Sequence, residues 1–255
     1  MNKSLLRLEN ITKNFGNVKV LKEINIEINT GEVVALIGDN GAGKSTLIKV
    51  ITGVHSPNSG KLFFKEEEVK IKSVSQSRKM GIETVYQERA LCDQQELYRN
   101  IFAGREITNM FGFINIKKQR KEAEKILRDY IGFTSEAITV DSPVSGLSGG
   151  EKQGVAFGRS LYFDSDLIIL DEPTMGLSIQ ETEKVLNFVR GLKDKNKSAI
   201  FIDHNIFHVY GTADRFIILD RGEIVGQFKK EEISRDDLVK KMIELHESGK
   251  IQVEA

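Results

Sequence analysis

The segment GDNGAGKST at residues 38–46 constrains the fold more than any other stretch of this sequence. It fits the pattern G-x-x-x-x-G-K-[ST], in which glycines let backbone N–H groups turn inward and the lysine reaches a phosphate chain. The aliphatic run VVALI precedes it, and the helical pattern KSTLIKVITG begins at Lys44. This order predicts a nucleotide phosphate site between a strand and a helix. The motif alone leaves open whether the nucleotide is hydrolysed or only bound.

Other short aliphatic runs repeat the pattern of a strand followed by a helix. The runs at 167–170, 198–203 and 216–219 are too short for helices and are typical of strands buried on both faces. Helical patterns lie between them, so we predict an α/β fold with a mixed central sheet. Near the start, INIEIN at 24–29 alternates with period two. This alternation predicts an N-terminal antiparallel β subdomain with one polar face.

The middle of the chain interrupts this alternation. We predict an inserted α-helical subdomain over about residues 88–160, within a main domain of residues 1–230 and before a C-terminal helical tail of residues 231–255. Both helical regions carry apolar residues at helical spacing, which predicts that they pack on a core. In order along the chain, these residues are Ala123, Ile126, Leu127, Tyr130, Ile131, Leu238, Val239, Met242 and Ile243.

Composition narrows the class of protein. Lys plus Arg and Asp plus Glu both number 37, so the formal net charge is zero. This balance gives no general attraction to nucleic acid or to anionic lipid. The single Cys92 excludes an intramolecular disulfide and fits a reducing compartment. The sequence shows neither a signal peptide nor an apolar span, so we expect any membrane role to be peripheral and to depend on a partner.

Two acids end the run LIILDE. An aspartate at the end of a buried strand, such as Asp171, holds Mg²⁺ in enzymes with this phosphate loop. Strand alternation turns Glu172 to the other face, where a carboxylate next to a phosphate can orient water. The strand pattern alone fits an idle, exposed acid at Glu172 equally well.

A second glycine-rich segment, LSGGEKQ at 147–153, precedes another helical pattern. Ser148 is a good N-cap, and the segment is either an anion site or an ordinary capped helix. Together, GDNGAGKST, LSGGEKQ and LIILDEPT resemble the ATP-binding subunits of ABC transporters over nearly the whole chain. The resemblance implies an ATPase with the fold described above.

The resemblance also assigns roles to residues. Phe15 would stack on adenine. Ser45, Gln87 and Asp171 would be the ligands of Mg²⁺, and Gln87 would also sense the γ-phosphate. Glu172 would be the catalytic carboxylate, and His204 would bond the γ-phosphate and support it. The Walker A loop would hold ATP with Gly38, Asp39, Asn40, Gly41, Ala42, Gly43, Lys44, Ser45 and Thr46.

The segment LSGGEKQ at 147–153 matches the signature of this family, which the resemblance implies would act across a dimer. Ser148, Gly149 and Gly150 would bind the γ-phosphate of ATP held by a second ATPase subunit. One position departs from the family pattern, because Ser178 stands where an aspartate usually joins the two ATP sites. Serine is a natural N-cap, so we expect the following helix to form and leave the cross-dimer bond open. The histidines at 55, 208 and 246 match no motif.

The motif details resemble bacterial importers of monosaccharides, in their single-domain ribose or fructose type. GIETVYQ and IDHNIFHVYGTADRFIILDRGEIVG carry this likeness. It implies transmembrane permease partners, an indirect sugar-binding protein, no nucleic acid, and a peripheral place on the cytoplasmic face of the inner membrane. A nucleoside or other small-solute importer is an alternative. A non-transport ABC ATPase or a regulatory ATP-binding module fits less well, because the full hydrolytic set and only one ATPase domain are present.

Overall fold

The computed structural model describes residues 3–85, 91–128 and 138–248. Two sheets carry the fold, and helices pack around them. The strands are β1 (Ser4–Phe15), β2 (Val18–Asn29), β3 (Val33–Ile37), β4 (Ser59–Phe64), β5 (Glu67–Val69), β6 (Ile82–Val85), β7 (Leu167–Asp171), β8 (Ser198–Ile202), β9 (Arg215–Asp220) and β10 (Glu223–Lys229). The helices are α1 (Lys44–Ile51), α2 (Val74–Met80), α3 (Leu97–Phe102), α4 (Ile116–Ile126), α5 (Gly149–Tyr162), α6 (Ile179–Arg190), α7 (Ile206–Thr212) and α8 (Arg235–Ser248).

The central sheet has the order β10-β9-β3-β8-β7-β6. Neighbours run parallel except β9 and β10, so the sheet is mixed as the sequence predicted. Strands β3 and β8 are buried along their whole length, because their aliphatic runs contact helices or sheet on both faces. The carboxyl ends of parallel strands meet at one edge, and the loops after β3, β7 and β8 emerge there together.

The second sheet is antiparallel, with the order β2-β1-β4-β5. In β2 the isoleucines 24, 26 and 28 are buried, while Asn25 and Glu27 between them are exposed. Successive side chains of a strand point to opposite faces, so one face of this sheet joins the core and the other contacts solvent. The predicted N-terminal antiparallel β subdomain is confirmed.

Helices α3, α4 and α5 share a hydrophobic cluster that is separate from the two clusters on the faces of the central sheet. Ala123 and Ile126 of α4 are buried in it, as their spacing predicted, and Leu127 joins them. Tyr130 and Ile131 lie outside the described residues. The boundaries 88–160 and 231–255 stay predictions.

The C-terminal helix α8 packs as its pattern indicated. Leu238 is fully buried against the core, and Met242 contacts the same cluster. Val239 is half-buried and Ile243 is exposed, so only one side of the predicted stripe reaches the core. No helix in the described ranges is long and apolar enough to cross a bilayer.

Candidate active site

The phosphate loop after β3 is shaped by close backbone contacts. A Cβ atom on Gly38 would lie 2.2 Å from the carbonyl oxygen of Leu219 in β9, so this position accepts only glycine without movement. The loop is also anchored from its other side, where Gly222 N–H donates to the Ala42 carbonyl at 2.9 Å. Two contacts with the β9–β10 hairpin therefore fix the loop before any ligand arrives.

Helix α1 begins at the end of this loop. Its N-cap, Gly43, has a φ of 112° and no side chain that could bond the first backbone N–H groups. The first turn therefore faces the loop without a side-chain cap, which is the arrangement that binds phosphate at helix N-termini. The buried Lys44 folds over the loop and donates from Nζ to the carbonyls of Gly38 at 2.5 Å and Asp39 at 3.1 Å.

Charges of both signs meet beside this loop. Burial lowers the pKa of Lys44, and the nearby carboxylates of Glu172, Asp171 and Asp39 oppose the shift. Burial also raises the pKa of Asp171, and the neighbouring charge of Glu172 raises it further, while Lys44 and His204 oppose this. The Walker A lysine and the acids of LIILDE thus share one electrostatic neighbourhood, although more than 120 residues separate them in sequence.

The side-chain oxygens of Ser45 and Asp171 are of the kind that binds Mg²⁺. Ser45 offers a hydroxyl and Asp171 a carboxylate, and hard oxygen ligands of this kind are those that Mg²⁺ prefers. Ser45 is exposed at the first turn of α1, so its hydroxyl is accessible to a ligand. Gln87, the third predicted metal ligand, lies outside the described residues.

The backbone at Glu172 departs from the strand alternation that the sequence predicted. Strand β7 ends at Asp171, and Glu172 has a left-handed φ of 51°. Its N–H donates to the Ile202 carbonyl at 2.9 Å, which fixes the turn against the end of β8. The Glu172 side chain then accepts a hydrogen bond from His204 Nε2 at 2.6 Å. The predicted contact between the acid and the histidine is present.

A polar group behind this contact was missed by the sequence reasoning. The nearly buried Asp203 accepts a hydrogen bond from Thr174 and faces His208, which matched no motif. Thr174 belongs to the loop after β7, and Asp203 to the loop after β8. No local pattern signals these contacts, because the partners lie 29 residues apart and meet only in the folded sheet.

The signature segment begins helix α5. Ser148 and Glu151 form a capping box, with Ser148 Oγ accepting from Glu151 N–H at 3.2 Å and Glu151 accepting from Ser148 N–H at 2.7 Å. Gly150 N–H donates to Glu181 Oε1 in α6 at 2.9 Å. One of the N–H groups that we predicted to bind phosphate is therefore bonded to a carboxylate of the same chain.

Ser178 is connected to the same carboxylate. It caps α6 as predicted, and its N–H and Oγ both donate to Glu181 Oε2, at 2.9 and 2.8 Å. An aspartate at 178 would place a second negative charge beside Glu181, whereas serine supplies a donor. The spacing S-x-x-E at 178–181 could have signalled this capping box from sequence.

Phe15, the predicted adenine partner, ends β1 and is 45% exposed. His55 meets its ring edge-on, with 5.1 Å between centroids, and Lys13 Nζ lies 5.1 Å from the ring centroid. The exposed ring area leaves room for a planar base, and His55 gains a structural contact that no motif had indicated.

Comparison with known proteins identifies the family. The family model described as "ABC transporter" matches residues 21–175. The chain belongs to the ABC transporter family. It is 44% identical over 238 residues to the xylose/arabinose import ATP-binding protein XylG of Sulfolobus acidocaldarius, covering 93% of each chain. It is 37% identical to the ribose import ATP-binding protein RbsA of Caldanaerobacter subterraneus, of which it spans 47%, about half the length.

Solved structures of the family share the fold. A dimeric ATP-binding cassette in a post-hydrolysis state, bound to ADP and Pi, superposes with a TM-score of 0.74 at 25% identity, covering 89% of this chain and 99% of that one. The α/β cassette predicted from sequence is therefore confirmed. As a member of the family, this ABC chain binds ATP and is an ATPase.

Proposed function

We propose that this ABC chain is the ATP-hydrolysing subunit of an importer that takes up a monosaccharide. Its relatives at 44% and 37% identity are named for the import of xylose or arabinose and of ribose. The subunit would contact ATP and not the transported solute. The sugar would therefore be selected by the permease and the binding protein. This proposal places the chain at the cytoplasmic face of the membrane, held there by the permease.

The phosphate loop would hold the ATP phosphates. Backbone N–H groups of the loop and first turn of α1 would bind the β- and γ-phosphates, and Lys44 would leave the Gly38 and Asp39 carbonyls to reach them. Ser45, Asp171 and Gln87 would hold Mg²⁺, which when bound neutralises part of the phosphate charge. Phe15 would carry the adenine.

One observation carries the hydrolytic role, namely the 2.6 Å contact between His204 and Glu172 beside Lys44 and Asp171. Glu172 would orient the attacking water and accept its hydrogen bond. His204 would hold the carboxylate in place and donate to the γ-phosphate as negative charge develops there. The exposed side of His204, 53% of its side chain, leaves it open toward a ligand.

A second copy would complete each ATP site. The signature residues Ser148, Gly149 and Gly150 would bind the γ-phosphate of ATP held in the loop of the partner cassette, and the dimeric relative supports this arrangement. The cluster-forming helices α3 and α4 would transmit closure of the dimer to the permease.

Replacing Glu172 with Gln tests the hydrolytic role. The amide keeps the size of the side chain but cannot act as a base, so we expect turnover to fall by about 100-fold or more. The dissociation constant for ATP, measured by calorimetry, should stay within about twofold. Glu183→Gln, an exposed change on α6, is the matched control. Near-wild-type hydrolysis by Glu172→Gln would overturn the assignment.

Reconstitution with the permease tests the transport role. Vesicles that contain the permease and this subunit should take up a labelled pentose or hexose only when ATP is enclosed. Uptake of a nucleoside in place of the sugar would assign the solute differently. Recovery of ribosomes or DNA with the purified chain, and no permease, would contradict transport altogether.

A further inference from the structure

We propose that Thr174, Asp203 and His208 form a clamp that positions His204 for ATP hydrolysis. The inference rests on the roles proposed above for Glu172 and His204. None of these three clamp residues contacts the predicted phosphate loop in the bonds that the structure describes, so they would be positioning residues and not catalytic ones. Their effect on the reaction would pass through the two loops that they join.

Asp203 is the centre of the clamp. Only 9% of it is exposed, and a carboxylate so buried must be satisfied by donors. Its Oδ2 accepts from Thr174 Oγ1 at 2.5 Å and faces His208 Nδ1 at 3.3 Å, while Oδ1 accepts from the backbone N–H of Asn205 at 2.8 Å. Donors from two residues that follow His204 and from the neighbouring loop therefore converge on one side chain.

The hydrogen bonds around His208 also determine which of its ring nitrogens carries the proton. Asn205 Oδ1 accepts from Phe207 N–H at 3.0 Å, which orients the amide so that its Nδ2 faces His208 Nε2 at 3.2 Å. An amide nitrogen only donates, so Nε2 is the acceptor and the proton lies on Nδ1. His208 Nδ1 thus donates to Asp203 and closes the clamp.

The clamp joins the same two loops as the catalytic contact. Thr174 lies two residues after Glu172, and Asp203 directly precedes His204. The Thr174–Asp203 bond and the Glu172–His204 bond therefore run side by side between the loops after β7 and β8. His204 is half exposed, so packing does little to fix its side chain, and the position of its loop determines whether it meets Glu172.

Loosening the clamp should affect the chemical step more than binding. The phosphate loop is held separately through Leu219 and Gly222, so we expect ATP affinity to be independent of Asp203. A misplacement of the catalytic group by about 1 Å lowers rate steeply, while ground-state binding is unchanged. The expected signature is a lower kcat with an unaltered dissociation constant for ATP.

Thr174→Val tests this inference, because valine keeps the shape of threonine and removes its donor. We expect kcat to fall about tenfold and the ATP dissociation constant to stay within about twofold. Thr174→Ser restores the hydroxyl and should recover most of the rate. A valine variant with an unchanged kcat, or a serine variant as slow as valine, would overturn the clamp.

A double-mutant cycle with His204→Ala separates positioning from a general loss of stability. If the clamp acts through His204, removing Thr174 Oγ1 from the His204→Ala protein should cost less than twofold further, since coupled residues are not additive. A full additional tenfold loss would overturn the inference while leaving the role of His204 intact. If His204→Ala itself retains wild-type turnover, the proposed function fails first.

His208→Gln provides a second route if Thr174→Val folds poorly. Its side chain is only partly buried, so replacement should be tolerated. Glutamine reaches Asp203 less directly than the ring, and we expect a loss in kcat of about threefold that also disappears in the His204→Ala background. A loss that persists undiminished in that background would contradict the clamp.

Discussion

Helices α1 and α5 both begin at glycine-rich segments that would face phosphate in the proposed dimer, but their first turns are filled differently. The first turn of α1 has Gly43 as its N-cap and no capping side chain. The first turn of α5 is closed by Ser148 and Glu151, and Gly150 N–H is bonded to Glu181. The first turn of the one proposed phosphate site therefore has no side-chain cap, whereas carboxylates of the same chain bond the N–H groups of the other.

The two first turns would therefore bind phosphate in different ways. At α1 the backbone is fixed by contacts with the β9–β10 hairpin, so a phosphate would find the backbone donors in place, and only the Lys44 side chain would have to leave its carbonyl partners. At α5 one N–H group cannot donate fully to a carboxylate and to a phosphate at once, so the partner's γ-phosphate would replace Glu181. Binding within a chain would need little rearrangement, and binding across the dimer would need an exchange of anions.

The largest expected effect comes from breaking the site at α1. Gly38→Ala places a Cβ atom 2.2 Å from the Leu219 carbonyl oxygen, so the loop or β9 must move. We expect ATP affinity to fall by at least about 100-fold, the equivalent of roughly 3 kcal/mol. Titration calorimetry with ATP would measure this loss.

Gly41→Ala in the same loop is the matched control for that change. A Cβ atom there has no described heavy atom within 4 Å, although its φ of 86° strains alanine. Strain of about 1–2 kcal/mol predicts a loss in affinity of tenfold or so. Equal losses at the two glycines would show that backbone strain, and not the contact with β9, shapes the site.

A smaller effect is expected from freeing the first turn of α5. Glu181→Gln keeps the capping box, since glutamine serves at that position, but its amide nitrogen cannot accept from Gly150 N–H. Freed of its competitor, the signature should bind the partner's phosphate more tightly. We expect the concentration of a non-hydrolysable ATP analogue needed for dimerisation to fall about fivefold, the equivalent of one net hydrogen bond.

Sedimentation velocity would measure that dimerisation, with Glu183→Gln as the control. Glu183 lies on the same helix and bonds Arg190 at the surface, so its replacement should leave dimerisation unchanged. Weaker dimerisation of Glu181→Gln would mean that the carboxylate supports the signature instead of competing for it, and the contrast between α1 and α5 would disappear.

The smallest expected effect is a change in melting temperature when the charge of Asp171 beside α1 is removed. Burial and Glu172 raise the pKa of Asp171, so the folded protein binds more protons there than the unfolded chain once the pH exceeds the ordinary value of 3.8. Stability therefore falls as pH rises through the interval up to the raised pKa, and stays lower above it. Removing the charge with Asp171→Asn should raise the melting temperature of the nucleotide-free protein at pH 7.5 by roughly 2 °C.

Acidification provides the check on that change. Below the ordinary pKa of 3.8, Asp171 is protonated in both the folded and the unfolded wild type, so the difference in melting temperature between wild type and Asp171→Asn should shrink toward zero. Asp194→Asn, an exposed change that also removes one carboxylate, is the matched control. A lower melting temperature of Asp171→Asn at both pH values would contradict the unfavourable burial of this charge.

The sequence predicted features whose interacting residues lie close together along the chain, and it missed contacts between residues far apart along the chain. The strand runs, the phosphate loop and the cap at Ser178 rest on neighbouring residues, and the structure contains them as predicted. The bonds from Gly150 to Glu181 and from Thr174 to Asp203 join residues about 30 positions apart. Only tertiary packing brings these together, and no local periodicity encodes it.

Glu172 shows the same limit within a few residues. Strand alternation predicted that Glu172 points to the other face of the strand, but the strand ends at Asp171 and Glu172 has a left-handed backbone. A glutamate gives no sequence signal for such a conformation, since glycine or asparagine usually adopts it. The bond to Ile202 in the next strand holds it there.

The buried charges of Lys44 and Asp171 have a consequence for the life of the protein in a cell. Burial carries a desolvation cost for both, and bound nucleotide with its metal would compensate it. A ligand that binds only the folded state stabilises it by about 2.7 kcal/mol at one hundred times its dissociation constant. A cell with ample ATP would therefore protect this subunit from proteolysis better than a starved cell would.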